Sequence, residues 1–213
     1  MPHRFPDPAD ATGEGLVAVG GQLDPQTLLT AYGQGIFPWP QPDTPMLWFS
    51  PDPRGVLVFK DLHISRSLRR AQKKLKWEFT VNQAFDRVIQ ACAGQPRPGQ
   101  NGTWITPEVI AAYRRLFARG HVLSVECWEG EEVVGGIYGV ITEKYFSAES
   151  MFHLRPNASK LCLLELVGEL RRRGHAWMDV QMITPVVAAL GGKYIPRKQF
   201  LIWIAGSTVA CGS

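Results

Sequence analysis

The chain has 213 residues, 45% of them hydrophobic and 20% charged, with a formal net charge of +4. That length and balance fit one globular domain, or a small module joined to a larger one, with enough apolar residues for a real core. No run of about 18 uncharged apolar residues occurs, and residues 1–21 lack the continuous apolar stretch of a secretory signal, so no membrane span is expected and the cytoplasm is the expected location.

The first fifty residues are rich in Pro and Gly and hold one plausible helix, over residues 25–32. Two aromatic loops stiffened by prolines follow it, Gly35-Ile36-Phe37-Pro38-Trp39-Pro40 and Trp48-Phe49-Ser50-Pro51-Asp52-Pro53-Arg54. Large aromatics in such loops either seal a domain interface or offer a stacking surface. Residues 56–59 read as a strand and residues 64–75 as a helix. Lys60, Arg66, Arg69, Arg70, Lys73, Lys74 and Lys76 stand there against Asp61 as the only acid. A charge run this one-sided points to a phosphate-rich partner, the alternative being a solvated helix face.

Phe85, Val88, Ile89 and Cys92 form the apolar face of a helix that Asn82 is placed to cap. Residues 94–102 read as a polar Pro/Gly loop. Thr106-Pro107-Glu108 starts a helix that Gly120 closes, with Val109, Tyr113, Leu116 and Phe117 as its buried stripe. Residues 122–128, 133–142 and 144–148 read as successive antiparallel strands, the first turn being Glu129-Gly130-Glu131. Gly135, Gly136 and Gly139 inside the second of them mark a bulge, or a surface where a ligand approaches the backbone. Asn157 is placed to cap a helix over 158–173, which Arg171, Arg172 and Arg173 close in agreement with its dipole. Residues 176–181 form the next strand, Thr184-Pro185 opens a short helix, and residues 200–204 read as a final strand. The chain shows no internal repeat. This order describes an α+β domain whose mixed sheet is flanked by helices. Acetyltransferase-type N-acyltransferase domains have the same order, an analogy of fold that does not by itself establish chemistry.

Two carboxylates stand inside apolar strands. Glu149 lies in Tyr145-Phe146-Ser147-Ala148-Glu149-Ser150-Met151-Phe152, and Asp179 in Met178-Asp179-Val180-Gln181. Strand periodicity puts Asp179 and Gln181 on one face. A carboxylate so placed costs several kcal/mol unless it is paired. Either acid alone is as readily a structural group satisfied by backbone or an Arg; the two together, with an amide beside one, point to a site. Cys92, Cys127, Cys162 and Cys211 form no Cys-x-x-Cys pair, and Cys92 and Cys162 fall on apolar helix faces as small hydrophobes. The five His residues have no metal-ligand spacing. Neither a metal nor a cofactor is expected.

Seven segments occur in a telling order: Gly35-Ile36-Phe37-Pro38-Trp39, Trp48-Phe49-Ser50-Pro51-Asp52-Pro53-Arg54, Thr103-Trp104-Ile105-Thr106, Gly135-Gly136-Ile137-Tyr138-Gly139, Glu149-Ser150-Met151-Phe152, Asn157-Ala158-Ser159-Lys160 and Ile195-Pro196-Arg197. Together they resemble the leucyl/phenylalanyl-tRNA–protein transferases over residues 15–204. The resemblance implies transfer of Leu or Phe, and Met as well, from tRNA to proteins with N-terminal Arg or Lys, marking them for degradation in the bacterial cytoplasm. It implies a small N-terminal domain over 1–54, an acetyltransferase-like catalytic domain over 55–213, and a monomer. The family's strand motif is commonly Asp-Cys-Gln, so Asp179-Val180-Gln181 departs from it at a side chain that points away from its neighbours.

By the same resemblance Asp179 and Gln181 orient the amine and relay its proton, with Asp179 either polarising the Gln181 amide or acting as a direct base. Glu149 would pair with the cationic acceptor or hold the tRNA end, and an acid suits the former. Ile137, Phe146, Met151 and Leu166 match the family's acyl pocket, Met151 being unbranched and adaptable. Trp39 and Trp104 match aromatics near the aminoacyl-adenosine end. The basic helix would hold acceptor-stem phosphates. Two other readings are a coenzyme-A-dependent N-acetyltransferase and a non-catalytic tRNA-binding module. The first lacks a Gly-rich pyrophosphate turn at His153-Leu154-Arg155-Pro156-Asn157; the second has no need of a buried Asp179.

Overall fold

A computed structural model describes residues 4–41, 43–95 and 103–206. The greater part of the 94–102 loop and Cys211 lie outside them. Strand β1 (Leu16–Val19) precedes helix α1 (Pro25–Gly33), which Asp24 caps through hydrogen bonds from the amides of Gln26 and Thr27, with Pro25 opening the first turn. The two aromatic loops contain short strands, β2 (Phe37–Pro38) and β3 (Leu47–Phe49), and pair into a three-stranded sheet of order β1-β3-β2.

The main sheet has seven strands. It contains β4 (Arg54–Val58), β5 (Glu78–Val81), β6 (Val122–Glu129), β7 (Glu132–Ile141), β8 (Phe146–His153), β9 (Trp177–Gln181) and β10 (Lys193–Ile195), in the order β10-β4-β9-β8-β7-β6-β5. Helix α2 (Arg66–Lys74) lies between β4 and β5, and α3 (Phe85–Gly94) and α4 (Pro107–Ala118) between β5 and β6. Helix α5 (Ala158–Arg172) makes the crossover from β8 to β9, the one parallel pair in the sheet. Short α6 (Pro185–Ala189) follows β9, and α7 (Arg197–Ile204) follows β10. The expected α+β class with a mixed, helix-flanked sheet is therefore what the chain forms.

Local departures from the sequence reading have physical causes. Residues 200–204 belong to α7 instead of a strand: Phe200 and Ile204, four apart, both pack against Val56, Val58 and Trp177, and a short apolar run does not distinguish helix from strand by itself. Asn82 does not cap α3. It takes a left-handed conformation (φ 59°) and its Oδ1 accepts from the Ser124 amide, tying β5 to β6, while Ala84 holds the cap position without a side-chain bond. Asn157 does occupy the cap position of α5, but left-handed (φ 74°) and with no capping bond from its side chain. The third meander strand starts and ends later than 144–148, at Phe146 and His153, because Thr142 binds the backbone of Lys144 and Tyr145 into a turn.

The glycines of β7 serve close packing of protein on protein. A Cβ on Gly135 would strike Ala158 at 2.6 Å, and one on Gly139 would strike the Ser147 carbonyl at 2.1 Å, where the β7–β8 register shifts. The expected bulge is there; no ligand approach explains them. Two large core clusters result. Leu28, Tyr32 and Trp48 of the N-terminal segment share one with Phe85, Ile89, Val109 and Tyr138, whereas Leu161, Leu166 and Val167 of α5 share the other with Val125, Phe146 and Met178. The small sheet is thus packed into the same core as α3, α4 and β7.

Candidate active site

β8 and β9 pair only through Phe146↔Met178 and Ser147↔Asp179. Beyond those pairs the strands part, and the opening holds a cavity of about 350 Å³, within the range of about 300–1,000 Å³ typical of small-molecule sites. Residues immediately past the last pair line it: Ala148, Glu149, Ser150 and Met151 from β8, Val180 and Gln181 from β9. Its lining has an aromatic part, Phe37, Trp39 and Trp104, whose residues belong to the core under the small sheet, and an apolar aliphatic part, Ile137 and Leu163 from the core under α5 together with Val187.

The end of β9 is built to aim Gln181. Gly55 pairs with Gln181 and Val56 with Asp179, so Val180 is the extra residue of a bulge. Gln181 is left-handed (φ 54°), and a Cβ on Gly55 would lie 3.1 Å from its carbonyl oxygen. The bulge brings the two polar side chains together: Gln181 Nε2 donates to Asp179 Oδ2 at 3.2 Å and to Ser147 Oγ at 2.7 Å. Both amide protons are thus engaged. Gln181 lines the cavity, and its Oε1 accepts no hydrogen bond from the described residues.

Asp179 is 0% exposed, and five donors surround its carboxylate. Arg54 Nε and Nη2 each reach one oxygen at 2.8 Å, Ser147 Oγ lies at 3.0 Å, and the Gln181 amide N–H (3.0 Å) and Nε2 complete the set. A carboxylate offers about four lone-pair positions, so none is left for a substrate proton. This geometry agrees with a polarising and orienting role and conflicts with a direct base. Arg54 is equally buried, its guanidinium between the rings of Phe37 (4.9 Å) and Phe200 (4.4 Å). Burial works against its charge, but the Asp179 carboxylate outweighs burial and the Arg54 pKa is raised.

Glu149 differs in kind. It lies on the cavity wall, where its carboxylate meets hydroxyls and no cation: Tyr113 Oη donates to Oε2 at 3.1 Å, and Ser147 Oγ lies 3.3 Å from Oε1. Tyr32 Oη is hydrogen-bonded to Tyr113 Oη, extending the chain of hydroxyls into α1. Burial pushes the Glu149 carboxyl up to about 7, against the lowering effect of the tyrosine hydrogen bonds. The residue is half-buried and lines the cavity. Burial also raises both tyrosine pKa values well above the usual phenol range, so they remain donors.

Of the residues expected from sequence, Glu149, Gln181, Trp39, Trp104, Ile137 and Met151 line this one cavity, with Asp179 directly behind Gln181. Phe146 and Leu166 do not line it; both are fully buried in the core beneath its apolar end. Val180, the extra residue of the bulge, forms part of the cavity wall. Trp39 and Trp48 resolve the two roles open to loop aromatics: Trp48 is buried with its Nε1 donating to the Gly20 carbonyl, and Trp39 faces the cavity. Sequence reasoning passed over Arg54, Ser147, Tyr32 and Tyr113. Arg54 closes a quoted motif, yet nothing in its spacing marks it as the partner of a residue 125 positions away.

The basic residues lie elsewhere. Arg66, Arg69, Arg70, Lys73 and Lys74 are exposed on α2, with Lys60 and Lys76 exposed at its flanks. None of the seven takes part in an ion pair among the described residues. Only Leu68 of α2 is buried, so the helix rests on a narrow apolar contact and presents its charge to solvent. Among the described residues there is no cluster of metal-ligating side chains and no helix long and apolar enough to cross a membrane.

Comparisons with known proteins complete these observations. The protein-family model for leucyl/phenylalanyl-tRNA protein transferase matches residues 56–205, and that for the N-terminal domain of the same proteins matches residues 21–52. The chain is 48% identical over 201 residues to a leucyl/phenylalanyl-tRNA–protein transferase of Shewanella sp. (strain W3-18-1), covering 93% of this chain and 85% of that one. It is 50% identical over 197 residues to the protein of that name from Anaeromyxobacter sp. (strain Fw109-5), covering 92% and 84%.

Proposed function

The chain belongs to the leucyl/phenylalanyl-tRNA protein transferase family, and we propose that it transfers Leu, Phe or Met from aminoacyl-tRNA to the α-amine of proteins that begin with Arg or Lys, in the bacterial cytoplasm and as a monomer. The observation that carries the reading is that Gln181 and Glu149 line one cavity together with aromatic and aliphatic side chains. The acyl side chain enters the end formed by Ile137, Met151, Leu163, Val180 and Val187; the adenosine lies toward Trp39 and Trp104, where a base can stack. Residues 1–54 form a small unit that supplies Phe37 and Trp39 to the aromatic end, and residues 55–213 supply Trp104 and the rest.

The donor is an activated ester and the acceptor an amine of ordinary pKa near 8, so alignment and proton management are the main demands. Gln181 Oε1 accepts a hydrogen bond from the incoming amine and aims its lone pair at the ester carbonyl. Its own amide is fixed and polarised by Asp179. As the C–N bond forms and the ribose oxygen leaves, nitrogen loses one proton and that oxygen gains one. Glu149, with a pKa of about 7, is matched to carry that proton. In its charged form it also suits a cationic acceptor side chain. The seven basic residues on and beside α2 hold phosphates of the tRNA.

The test combines the protein with Leu-, Phe- or Met-charged tRNA and peptides that begin with Arg, Lys or Ala. Mass spectrometry is expected to find one aminoacyl addition on the Arg and Lys peptides only. Binding of charged tRNA with no product would favour a non-catalytic tRNA-binding module. A thermal shift with acetyl-CoA would favour the acetyltransferase reading.

A further inference from the structure

The proposed mechanism leaves one costly feature unexplained: a guanidinium 0% exposed, at the start of β4, that does not line the cavity. We propose that Arg54 is a positioning residue for aminoacyl transfer, setting the hydrogen-bond polarity of Gln181 through Asp179. The proposal rests on the reading that Gln181 orients the amine.

The argument starts from the amide. A glutamine side chain can present either a carbonyl or an NH2 group to the cavity, and the two are opposite instructions to a nucleophile. A carbonyl accepts the amine's N–H and leaves its lone pair free to attack. An NH2 group donates to that lone pair and blocks it. The amide takes the first orientation because both its protons are drawn backward, to Asp179 Oδ2 and Ser147 Oγ. That holds only while Asp179 is an acceptor at every position, which an ionised carboxylate is and a protonated one is not.

Arg54 enforces this state in two ways. Among the described residues it supplies the only cation that contacts Asp179, and its two-pronged contact, Nε to Oδ1 and Nη2 to Oδ2, fixes the plane of the carboxylate. Phe37 from β2 and Phe200 from α7 clamp the guanidinium from the small sheet and from the C-terminal helix. The other titratable groups acting on Arg54 are Glu149, on β8, and Tyr145, the residue before β8. Burial raises the Tyr145 pKa beyond the physiological range and keeps that phenol neutral, its hydroxyl donating to the Tyr32 carbonyl.

The experiment is a double-mutant cycle in single-turnover transfer from an aminoacyl-adenosine donor, using Arg54→Met, Gln181→Ala and the double variant. Arg54→Met is expected to slow transfer on the order of 100-fold, the scale of a small misplacement of a reacting group, while the donor's KM stays within about twofold. In the Gln181→Ala background the same substitution should slow transfer less than about threefold, because the group it positions is gone. Penalties that multiply in the double variant would overturn the role of Arg54 while leaving Gln181 in place. A wild-type rate for Gln181→Ala would instead overturn the reading of Gln181. If Arg54→Met does not fold, Arg54→Lys decides. It keeps the cation but not the fork, and is expected to lose at least tenfold in rate with an unchanged KM; a wild-type rate there would contradict the proposal.

Discussion

The molecule carries two concentrations of charge that obey different physics. On α2 and its flanks, seven exposed cations form no ion pair among the described residues. In the opening between β8 and β9, Arg54, Asp179 and Glu149 are held among hydroxyls, an amide and aromatic rings. Exposed charges are screened over about 8–10 Å and are individually worth little, but they add along a phosphate backbone. Buried charges are few, each has an assigned partner, and losing one strands another. The first arrangement suits recognition of a long polyanion; the second suits alignment of two reacting groups.

The largest effect expected on this contrast comes from removing a buried partner. Asp179→Ala leaves Arg54 as an uncompensated charge between two phenylalanines, which costs about 3–5 kcal/mol of stability. It also frees the Gln181 amide, with a loss of about 10²–10³ in rate. Thermal denaturation and single-turnover kinetics on the same preparation check both, and a variant with wild-type Tm would show that the pair is not what holds Arg54 in place.

Glu149 sharpens the comparison through pH. Its folded pKa of about 7 lies above the ordinary carboxyl value of 4.5, so the folded chain resists ionising it. Stability linked to this group is fully present below about 4.5 and is lost as pH rises through about 7. Glu149→Gln is expected to raise stability at pH 8 by on the order of 1–3 kcal/mol, with little change at pH 4. The acid limb of transfer near pH 7 should disappear with it. A gain independent of pH would mean that Glu149 is ionised throughout.

On the exposed side, replacing Arg69, Arg70, Lys73 and Lys74 with Ala should flatten the log–log salt dependence of tRNA binding by about 3–4 units, at about 0.9 per phosphate contact. Each substitution should change stability by no more than about 0.5 kcal/mol, as surface positions do. Filter binding across a salt series measures the slope; an unaltered slope would return α2 to a solvated helix face.

The smallest effect concerns the apolar end of the cavity. Met151→Ala should penalise Leu more than Phe, because the smaller side chain leaves more of the enlarged space unfilled, and about 1–3 kcal/mol is the usual scale for such discrimination. The ratio of kcat/KM for leucyl and phenylalanyl donors reads it. An unchanged ratio with a lowered Tm would make Met151 a core residue.

What could be read from the sequence follows the range of the forces involved. Helices α1, α4 and α5 and the meander β6-β7-β8 announce themselves through local periodicity, caps and turns. Asp179 and Glu149 stand out because acids inside apolar strands are anomalous. Arg54 was not legible, since its partner lies 125 residues on and the pairing is created by the placement of β4 beside β9. Tyr113 read as part of a buried helical stripe and Tyr32 only as a helix residue; the rings of both are core, and only their hydroxyls reach Glu149 or one another. The α7 helix was misread because its five apolar-rich residues satisfy a strand and a helix equally. Phe146 and Leu166 matched the acyl pocket by motif alone, and distance from the cavity is a tertiary fact that no motif carries.

The division of labour between exposed and buried charge is tested most directly by comparing two donors, aminoacyl-tRNA and aminoacyl-adenosine, in Gln181→Ala and in the four-residue α2 variant. The account predicts that Gln181→Ala slows single-turnover transfer from both donors by the same factor, whereas the α2 variant loses transfer at subsaturating aminoacyl-tRNA and keeps its rate with aminoacyl-adenosine. Equal losses with both donors in the α2 variant would contradict it.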